Sequence, residues 1–302
     1  MSAPALPRAR GARRAEQTDA TGQAPGAARR GGLLAVAHVV LVAWALISTL
    51  PLLWAVLSAL KSDAQIFTTP WALPKSLHWD NFVRAWTTAS IGRYFVNSLI
   101  VVGGGVALTL LLSSMAAYVL ARFEFRGNRF VYYFFVAGLT FPVFLALVPL
   151  FFVVRNLGML STYHGLILVY TAYSLPFSVF FLTAFFRTLP TSVAEAAIVD
   201  GASHTRTFFS VMLPMARPGL ISIGTFNFIG QWNQYLLPVV LVSDRKHFVI
   251  SQGLADLAVN QGYKAAYSAL FAGLTLAMLP VLLVYVVFQR KVQAGLTAGA
   301  VK

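Results

Sequence analysis

The chain contains no cysteine, and charged residues make up only 11% of its 302 amino acids. The absence of cysteine excludes disulfide bonds, thiolate metal sites and a cysteine nucleophile. Soluble domains usually carry about a quarter charged residues, so these few charges cannot cover the surface of a water-soluble enzyme. Among the charged residues the acidic ones are the minority, with nine Asp and Glu against 23 Lys and Arg, which gives a net charge of +14. Whether that excess points to nucleic acid depends on where the basic residues lie.

Motifs that carry chemistry are missing as well. The sequence has no G-x-x-x-x-G-K-[ST] phosphate loop, so we expect the chain to bind no ATP of its own. It has no His, Asp and Glu cluster with metal-ligand spacing and no nucleophile elbow. We therefore predict a protein that is not an enzyme and that holds no metal or cofactor.

Long uncharged apolar runs are what the chain has in abundance. A bilayer core about 30 Å thick requires about 20 helical residues. Six runs reach that length: 33–60, 94–121, 130–154, 165–186, 218–243 and 265–289. The runs are continuously apolar rather than alternating, which excludes a transmembrane barrel. The sequence predicts an all-α membrane protein with six transmembrane helices.

The basic residues indicate how these helices are oriented. With the amino terminus inside, the cytoplasmic segments 1–32, 122–129, 187–217 and 290–302 hold 15 Lys and Arg, and the outer segments hold eight. An excess of Lys and Arg marks the cytoplasmic side. We predict a multi-pass protein of the cell membrane with both termini cytoplasmic, and the nucleic-acid interpretation is set aside.

The segment before the first run lies outside that scheme. Residues 1–31 are rich in Ala, Gly, Arg and Pro without apolar periodicity, which predicts a disordered basic tail before a permease domain over 32–302.

The six runs contain no Asp, Glu, Lys or Arg, although ion-driven carriers usually need such groups inside the membrane. His38, in the first run, is either a member of a proton relay or a neutral histidine with a hydrogen bond to its surroundings. We expect the second, because the runs contain no acidic or basic partner for a relay.

The predicted cytoplasmic loop 187–217 has the pattern of a helix–turn–helix. Pro190 suits a first helical turn, and Ser192 and Glu195 have the spacing of a capping box. Gly201 can take the left-handed conformation that ends a helix. A second short helix is expected from about residue 203 to just before Leu213 and Pro214.

This loop also carries a recognisable motif. Glu195-Ala196-Ala197, three residues, Gly201, nine residues and Val211-x-Leu213-Pro214 resemble the EAA motif of ABC importer permeases, in which Ile stands at the position of Val211. In that family the loop is a coupling helix that docks on a cytoplasmic ATPase. The resemblance assigns this coupling role to Glu195, Ala196, Ala197, Asp200, Gly201, Leu213 and Pro214.

Three further stretches are similar to the sugar-importing branch with maltose-type permeases: 228–238, 95–98 and 295–302. The resemblance implies a type I ABC importer permease fold, a second homologous permease, a cytoplasmic ATPase dimer that uses ATP and Mg²⁺, and an extracytoplasmic solute-binding protein. The expected substrate is a sugar, either a di- or oligosaccharide or an amino sugar. A permease for another small polar solute, such as a polyamine or phosphate, and a stand-alone secondary carrier are the alternatives.

Two polar stripes mark a possible path for the substrate. They lie at helical spacing on the fifth and fourth runs and consist of Asn227, Gln231 and Gln234, and of Tyr170, Ser174 and Ser178. The stripes either line a translocation path or form hydrogen bonds between helices. The sequence leaves both interpretations open.

Overall fold

The computed structural model describes residues 26–260 and 266–298, and its regular elements there are helices. In chain order they are α1 (Gly26–Ala59), α2 (Asp63–Thr68), α3 (Asp80–Trp86), α4 (Ile91–Arg122), α5 (Asn128–Thr140), α6 (Val143–Asn156), α7 (Tyr163–Thr188), α8 (Thr191–Val199), α9 (His204–Thr207), α10 (Leu213–Met215), α11 (Arg217–Trp232), α12 (Leu236–Leu241), α13 (Ile250–Asn260) and α14 (Tyr267–Ala298). A π-helical segment, Phe208–Met212, precedes α10, and a 3₁₀ turn, Arg245–His247, precedes α13. The all-α class is confirmed for these residues.

Four of the helices are long and apolar enough to cross a membrane: α1, α4, α7 and α14. They correspond to the first, second, fourth and sixth apolar runs. Helix α1 begins at Gly26, so the predicted disordered tail is wrong for residues 26–31. The remaining residues of the predicted tail, 1–25, lie outside the described part of the chain. Within α1, His38 Nδ1 donates to the Leu34 carbonyl at 2.6 Å, so the ring has the local hydrogen bond that was expected.

The third apolar run is bent. Helices α5 and α6 meet at 105°, because Pro142 has no N–H to donate and disfavours a helical conformation at the residue before it. Phe141 accordingly takes an extended conformation, with φ −79° and ψ 119°. The single continuous helix predicted over 130–154 is therefore wrong.

The fifth run is broken too, between α11 and α12. Pro238 lacks the N–H that would bond to the Gln234 carbonyl in a continuous helix. That carbonyl instead accepts a hydrogen bond from Ser251 Oγ at 2.7 Å. The continuous helix predicted over 218–243 is wrong, and the described residues contain four candidate spans, or five if the bent pair is one span. The count of six stays a prediction.

The core lies where α4, α7 and α11 pack together, with α14 against α11. One buried cluster surrounds Trp232 and includes Val101, Tyr170 and Ile250. A second, here called the Tyr118 cluster, joins α4, α7, α11 and the segment between α8 and α11. Its buried members are Ala117, Tyr118, Leu182, Phe185, Phe186, Phe208, Met212, Ala216 and Ile223.

Candidate functional site

The segment between α7 and α11 turns sharply after α8. Gly201 has φ +84°, the left-handed conformation that glycine adopts without strain. The N–H of Gly201 donates to the Ile198 carbonyl, and the N–H of Ala202 donates to the Ala197 carbonyl, both at 2.9 Å. These two bonds form a Schellman motif, which satisfies the last carbonyls of α8. The predicted role of Gly201 in ending the helix is confirmed.

The start of α8 differs from the expectation. The helix begins at Thr191 with Pro190 as its N-cap, and no side chain caps it. Ser192 therefore lies inside the helix, and the predicted capping box with Glu195 is wrong. A hydroxyl cap occurs at the next helix instead, where Ser203 Oγ accepts from the Arg206 N–H at 3.3 Å.

The second helix of this loop is longer than predicted. It continues from α9 through the π-helical segment into α10, so it does not stop before Leu213 and Pro214. The Leu213 N–H donates to the Phe208 carbonyl five residues back. This wider turn avoids the collision between a proline ring and the carbonyl four residues earlier. Leu213 and Pro214 are both half-buried.

One side of α8 is open to contact. The EAA-motif residues Glu195 and Ala196 are exposed, as is Asp200, while Ala197 is half-buried. Beside them Ile198 and Val199 are 45% and 86% exposed, respectively. The end of α8 thus presents a small apolar surface flanked by carboxylates.

The other side of the loop joins the Tyr118 cluster, against which Ala194 packs. The Tyr118 ring contacts three other rings, with centroid distances of 5.7 Å to Phe123, 5.7 Å to Phe186 and 5.1 Å to Phe208. Phe208 belongs to the loop, Phe186 to the end of α7 and Tyr118 to α4. The loop is therefore packed directly onto the ends of two long helices.

The two predicted polar stripes face each other across α7 and α11. Asn227 Nδ2 donates to Ser178 Oγ at 2.9 Å, and Gln231 Nε2 donates to Ser174 Oγ at 3.0 Å. All four side chains are buried. The stripes thus form an interhelical hydrogen-bond ladder, one of the two roles that the sequence left open.

A cavity of about 700 Å³ lies beside this ladder, between the α5–α6 bend, α7 and α11. Its lining is mostly apolar. Five of the six predicted path residues are part of the lining: Tyr170, Ser174, Asn227, Gln231 and Gln234. The sixth, Ser178, is buried behind them. Gln234 is half-buried, and its side chain makes no hydrogen bond within the described residues.

Gly105 takes part in this helix interface although no sequence motif marks it. A Cβ atom added to this residue of α4 would come within 2.5 Å of Gln231 Oε1, so glycine allows the two helices to approach. Gln231 Oε1 itself is buried and has no hydrogen-bond partner in the described residues. A glycine within an apolar run is compatible with many environments, which is why this contact was missed.

The stretch 95–98, singled out from the sequence, holds the segment before α13. Asn97 Nδ2 donates to the carbonyls of Lys246 and Phe248 at 2.9 and 2.8 Å, and Asn97 Oδ1 accepts from the Tyr163 hydroxyl at 2.8 Å. Ser98 Oγ accepts from the Ile250 N–H at 2.8 Å. Two adjacent residues of α4 thereby fix a segment about 150 residues away.

An aspartate caps the 3₁₀ turn in the same segment. Asp244 Oδ1 accepts from the Lys246 N–H at 2.9 Å, and this bond holds the pKa of the Asp244 carboxyl below its usual value. The His247 ring packs edge-on against Tyr163, with ring centroids 5.0 Å apart. The turn is therefore ordered from both sides.

Residues 109–297 match the family described as binding-protein-dependent transport system inner membrane component. The diacetylchitobiose uptake system permease protein of Streptomyces coelicolor is 52% identical over 265 residues, covering 88% of each chain. The trehalose transport system permease protein of Mycobacterium tuberculosis is 32% identical, covering 91% of this chain and 99% of that one.

A solved structure shares the fold. It is a chain of a bacterial ABC transporter involved in the import of the acidic polysaccharide alginate, with a TM-score of 0.76 and 23% identity. The match covers 87% of the chain described above and 96% of the alginate transporter chain.

Proposed function

Because this chain belongs to the family of inner-membrane components of binding-protein-dependent transport systems, we propose that it is the permease subunit of an ATP-driven importer for an amino-sugar disaccharide. The 52% identity to a permease named for diacetylchitobiose uptake supports an N-acetylated disaccharide. Relatives named for trehalose and arabinooligosaccharide transport support the broader class of di- and oligosaccharides.

The open side of α8 is the docking site for a cytoplasmic ATPase. The Schellman turn at Gly201 ends the helix so that Ile198, Val199 and Asp200 face outward, and Glu195 lies one turn earlier on the exposed surface. The opposite side is packed into the Tyr118 cluster. A partner that moves α8 therefore moves the ends of α4 and α7. This two-sided packing is the observation that carries the proposal.

The chain itself catalyses no bond chemistry in this scheme. Its sequence has no phosphate loop, so ATP and Mg²⁺ are used by the partner ATPase dimer. An extracytoplasmic solute-binding protein delivers the sugar, and a second homologous permease completes the pore. Both termini lie in the cytoplasm, as the distribution of Lys and Arg indicates.

The cavity beside α7 and α11 is this chain's share of the translocation path. Gln234 offers an unused amide there, and Tyr173, Phe177 and Phe226 contribute aromatic side chains. Sugars present both hydroxyl groups and apolar ring faces, so a lining of this mixed kind can bind them weakly and release them.

Reconstitution into vesicles tests the proposal. Vesicles that contain this chain, the second permease, the ATPase and the binding protein should accumulate diacetylchitobiose when ATP is supplied on the ATPase side. Tenfold accumulation requires about 1.4 kcal/mol. The apolar runs of this chain contain no Asp, Glu, Lys or Arg through which an ion gradient could supply that free energy.

Vesicles with this chain alone serve as the control and should accumulate nothing. Accumulation by this chain alone in a proton or sodium gradient would contradict the importer-subunit proposal. Accumulation of trehalose but not diacetylchitobiose by the complete complex would contradict the amino-sugar specificity and leave the permease role intact.

A further inference from the structure

Arg122, the last residue of α4, reaches across to the end of α7. Its Nη2 atom donates to the carbonyl of Phe186 at 2.8 Å and to the carbonyl of Leu189 at 2.6 Å. Phe186 lies in the last turn of α7, and Leu189 is the residue that ends it. The guanidinium group of α4 therefore caps the carboxyl end of a different helix.

The chemistry of this contact favours a fixed geometry. The last carbonyls of a helix have no intrahelical donor and carry the negative end of the helix dipole, so a cation with directed N–H groups is a suitable partner. Bonds from a charged donor are stronger than those between neutral groups. Arg122 Nε is buried without a partner, and no carboxylate pairs with the Arg122 side chain within the described residues.

The position of the contact matters because α8 begins directly after it. Leu189 is followed by Pro190, the N-cap of α8, and then by Thr191, its first residue. Any movement of α8 reaches α7 through these few residues. Arg122 joins that connection to α4 at the point where the Tyr118 cluster also joins the two helices.

We propose that Arg122 is a positioning residue for coupling: it holds the start of α8 to α4, so that α4 and α7 move together when α8 is displaced. This proposal rests on the proposed function, in which α8 docks on the ATPase. Without the contact, α8 can be displaced without moving α4. Each ATP hydrolysed then produces less movement of the helices around the cavity.

The first test compares variants of the complete reconstituted complex. Arg122→Met keeps the apolar part of the side chain and removes the donors, and Arg122→Lys retains a charged donor. Arg126→Met, at an exposed arginine four residues further along the chain, is the matched control.

The measured quantity is the amount of sugar imported per ATP hydrolysed, together with assembly of the complex. The loss of charged hydrogen bonds should lower that ratio about tenfold in Arg122→Met, with partial recovery in Arg122→Lys and no change in Arg126→Met. If Arg122→Met does not assemble, Arg122→Gln, which can still donate to one carbonyl, replaces it, and an intermediate fall is expected. A ratio in the Met or Gln variant equal to that of the unaltered complex would overturn the proposal.

A second measurement tests the contact independently of transport. Because the chain has no cysteine, spin labels can be placed at Glu124→Cys and Ser192→Cys, both exposed positions. The distance between the labels should be narrowly distributed in the unaltered complex and in Arg122→Lys, and broad in Arg122→Met or its Gln replacement. A distance distribution that stays narrow in Arg122→Met, or in its Gln replacement, means that Arg122 does not position α8. If the unaltered complex imports no sugar, the proposed function fails, and the distance measurement still decides whether Arg122 holds α8 to α4.

Discussion

The side-chain amide of Gln231 donates to the hydroxyl of Ser174 across the interface between α11 and α7, with a distance of 3.0 Å. A second bond of the same kind, from Asn227 to Ser178, lies about one helical turn away. Both bonds are buried, so these amides hold two helices together at the edge of the cavity. Gln234, the third member of the same stripe, lines the cavity and keeps its amide available for a ligand.

Replacing these glutamines should therefore have different effects. Gln231→Leu removes an interhelical hydrogen bond, which costs about 1 kcal/mol in a membrane protein. It should lower the unfolding temperature of the purified complex. Gln234→Leu should leave that temperature unchanged and reduce the rate of sugar import. Thermal unfolding and import rates of the two variants check this difference, and equal effects of both on stability would contradict it.

The turn at Gly201 provides a second prediction. An added Cβ would meet no neighbouring atom, so any effect of a substitution comes from the positive φ value. The left-handed conformation costs about 1–2 kcal/mol for valine, whereas asparagine adopts it much more readily. Gly201→Val should reduce ATP-driven import while the protein remains in the membrane, and Gly201→Asn should retain most of the import. Import rates at equal amounts of membrane protein measure the effect; equal import by both variants would exclude a requirement for this turn.

Asn97 provides a third prediction, for the segment before α13. Asn97→Asp has no N–H to donate to the carbonyls of Lys246 and Phe248. Each of these two hydrogen bonds contributes about 0.5–1.5 kcal/mol, so their joint loss should make the segment open about tenfold more often. Cleavage by trypsin after Arg245 or Lys246 follows this open population. The matched control is Asn233→Asp, because that exposed amide donates to the Ile229 carbonyl of the helix it ends and to no other group among the described residues. Faster cleavage in the control as well would argue against a specific role of Asn97.

The orientation in the membrane is tested by single cysteines in the cysteine-free chain. Ser76 and Lys246, both exposed, should react with an impermeant thiol reagent from outside when replaced by cysteine. Cysteine at Thr205 or Arg126, also exposed, should react only after the membrane is permeabilised. Gln252 is a poor site for this experiment because it is 5% exposed and bonds to the Val242 carbonyl. The reverse pattern of reactivity would place α8 on the outer side of the membrane, where a cytoplasmic ATPase could not dock, and would contradict the proposed orientation.

Much of the loop before α11 could be predicted from residue order, and some of it could not. The positive φ value of Gly201 was predictable because a glycine in that position after a helical pattern has one common conformation. The start of α8 was not, because Pro190 and Ser192 are both acceptable near a helix start and the choice depends on how Leu189 is held. The π-helical segment before Pro214 was not predictable, because a proline clash can be relieved in several ways and the sequence does not show that Phe208 and Met212 are buried in the Tyr118 cluster.

The sequence by itself determined the class of this protein. Long uncharged runs and scarce charges are properties of composition, and the EAA motif depends only on spacing along the chain, so neither requires knowledge of which residues meet. Tertiary structure decided which polar groups bond to each other and which face the cavity. Arg122 meets a carbonyl 64 residues away, and Gln231 meets a hydroxyl 57 residues away. Such pairs form only when helices pack at a particular rotation and depth, and many rotations of an apolar helix satisfy the same sequence pattern.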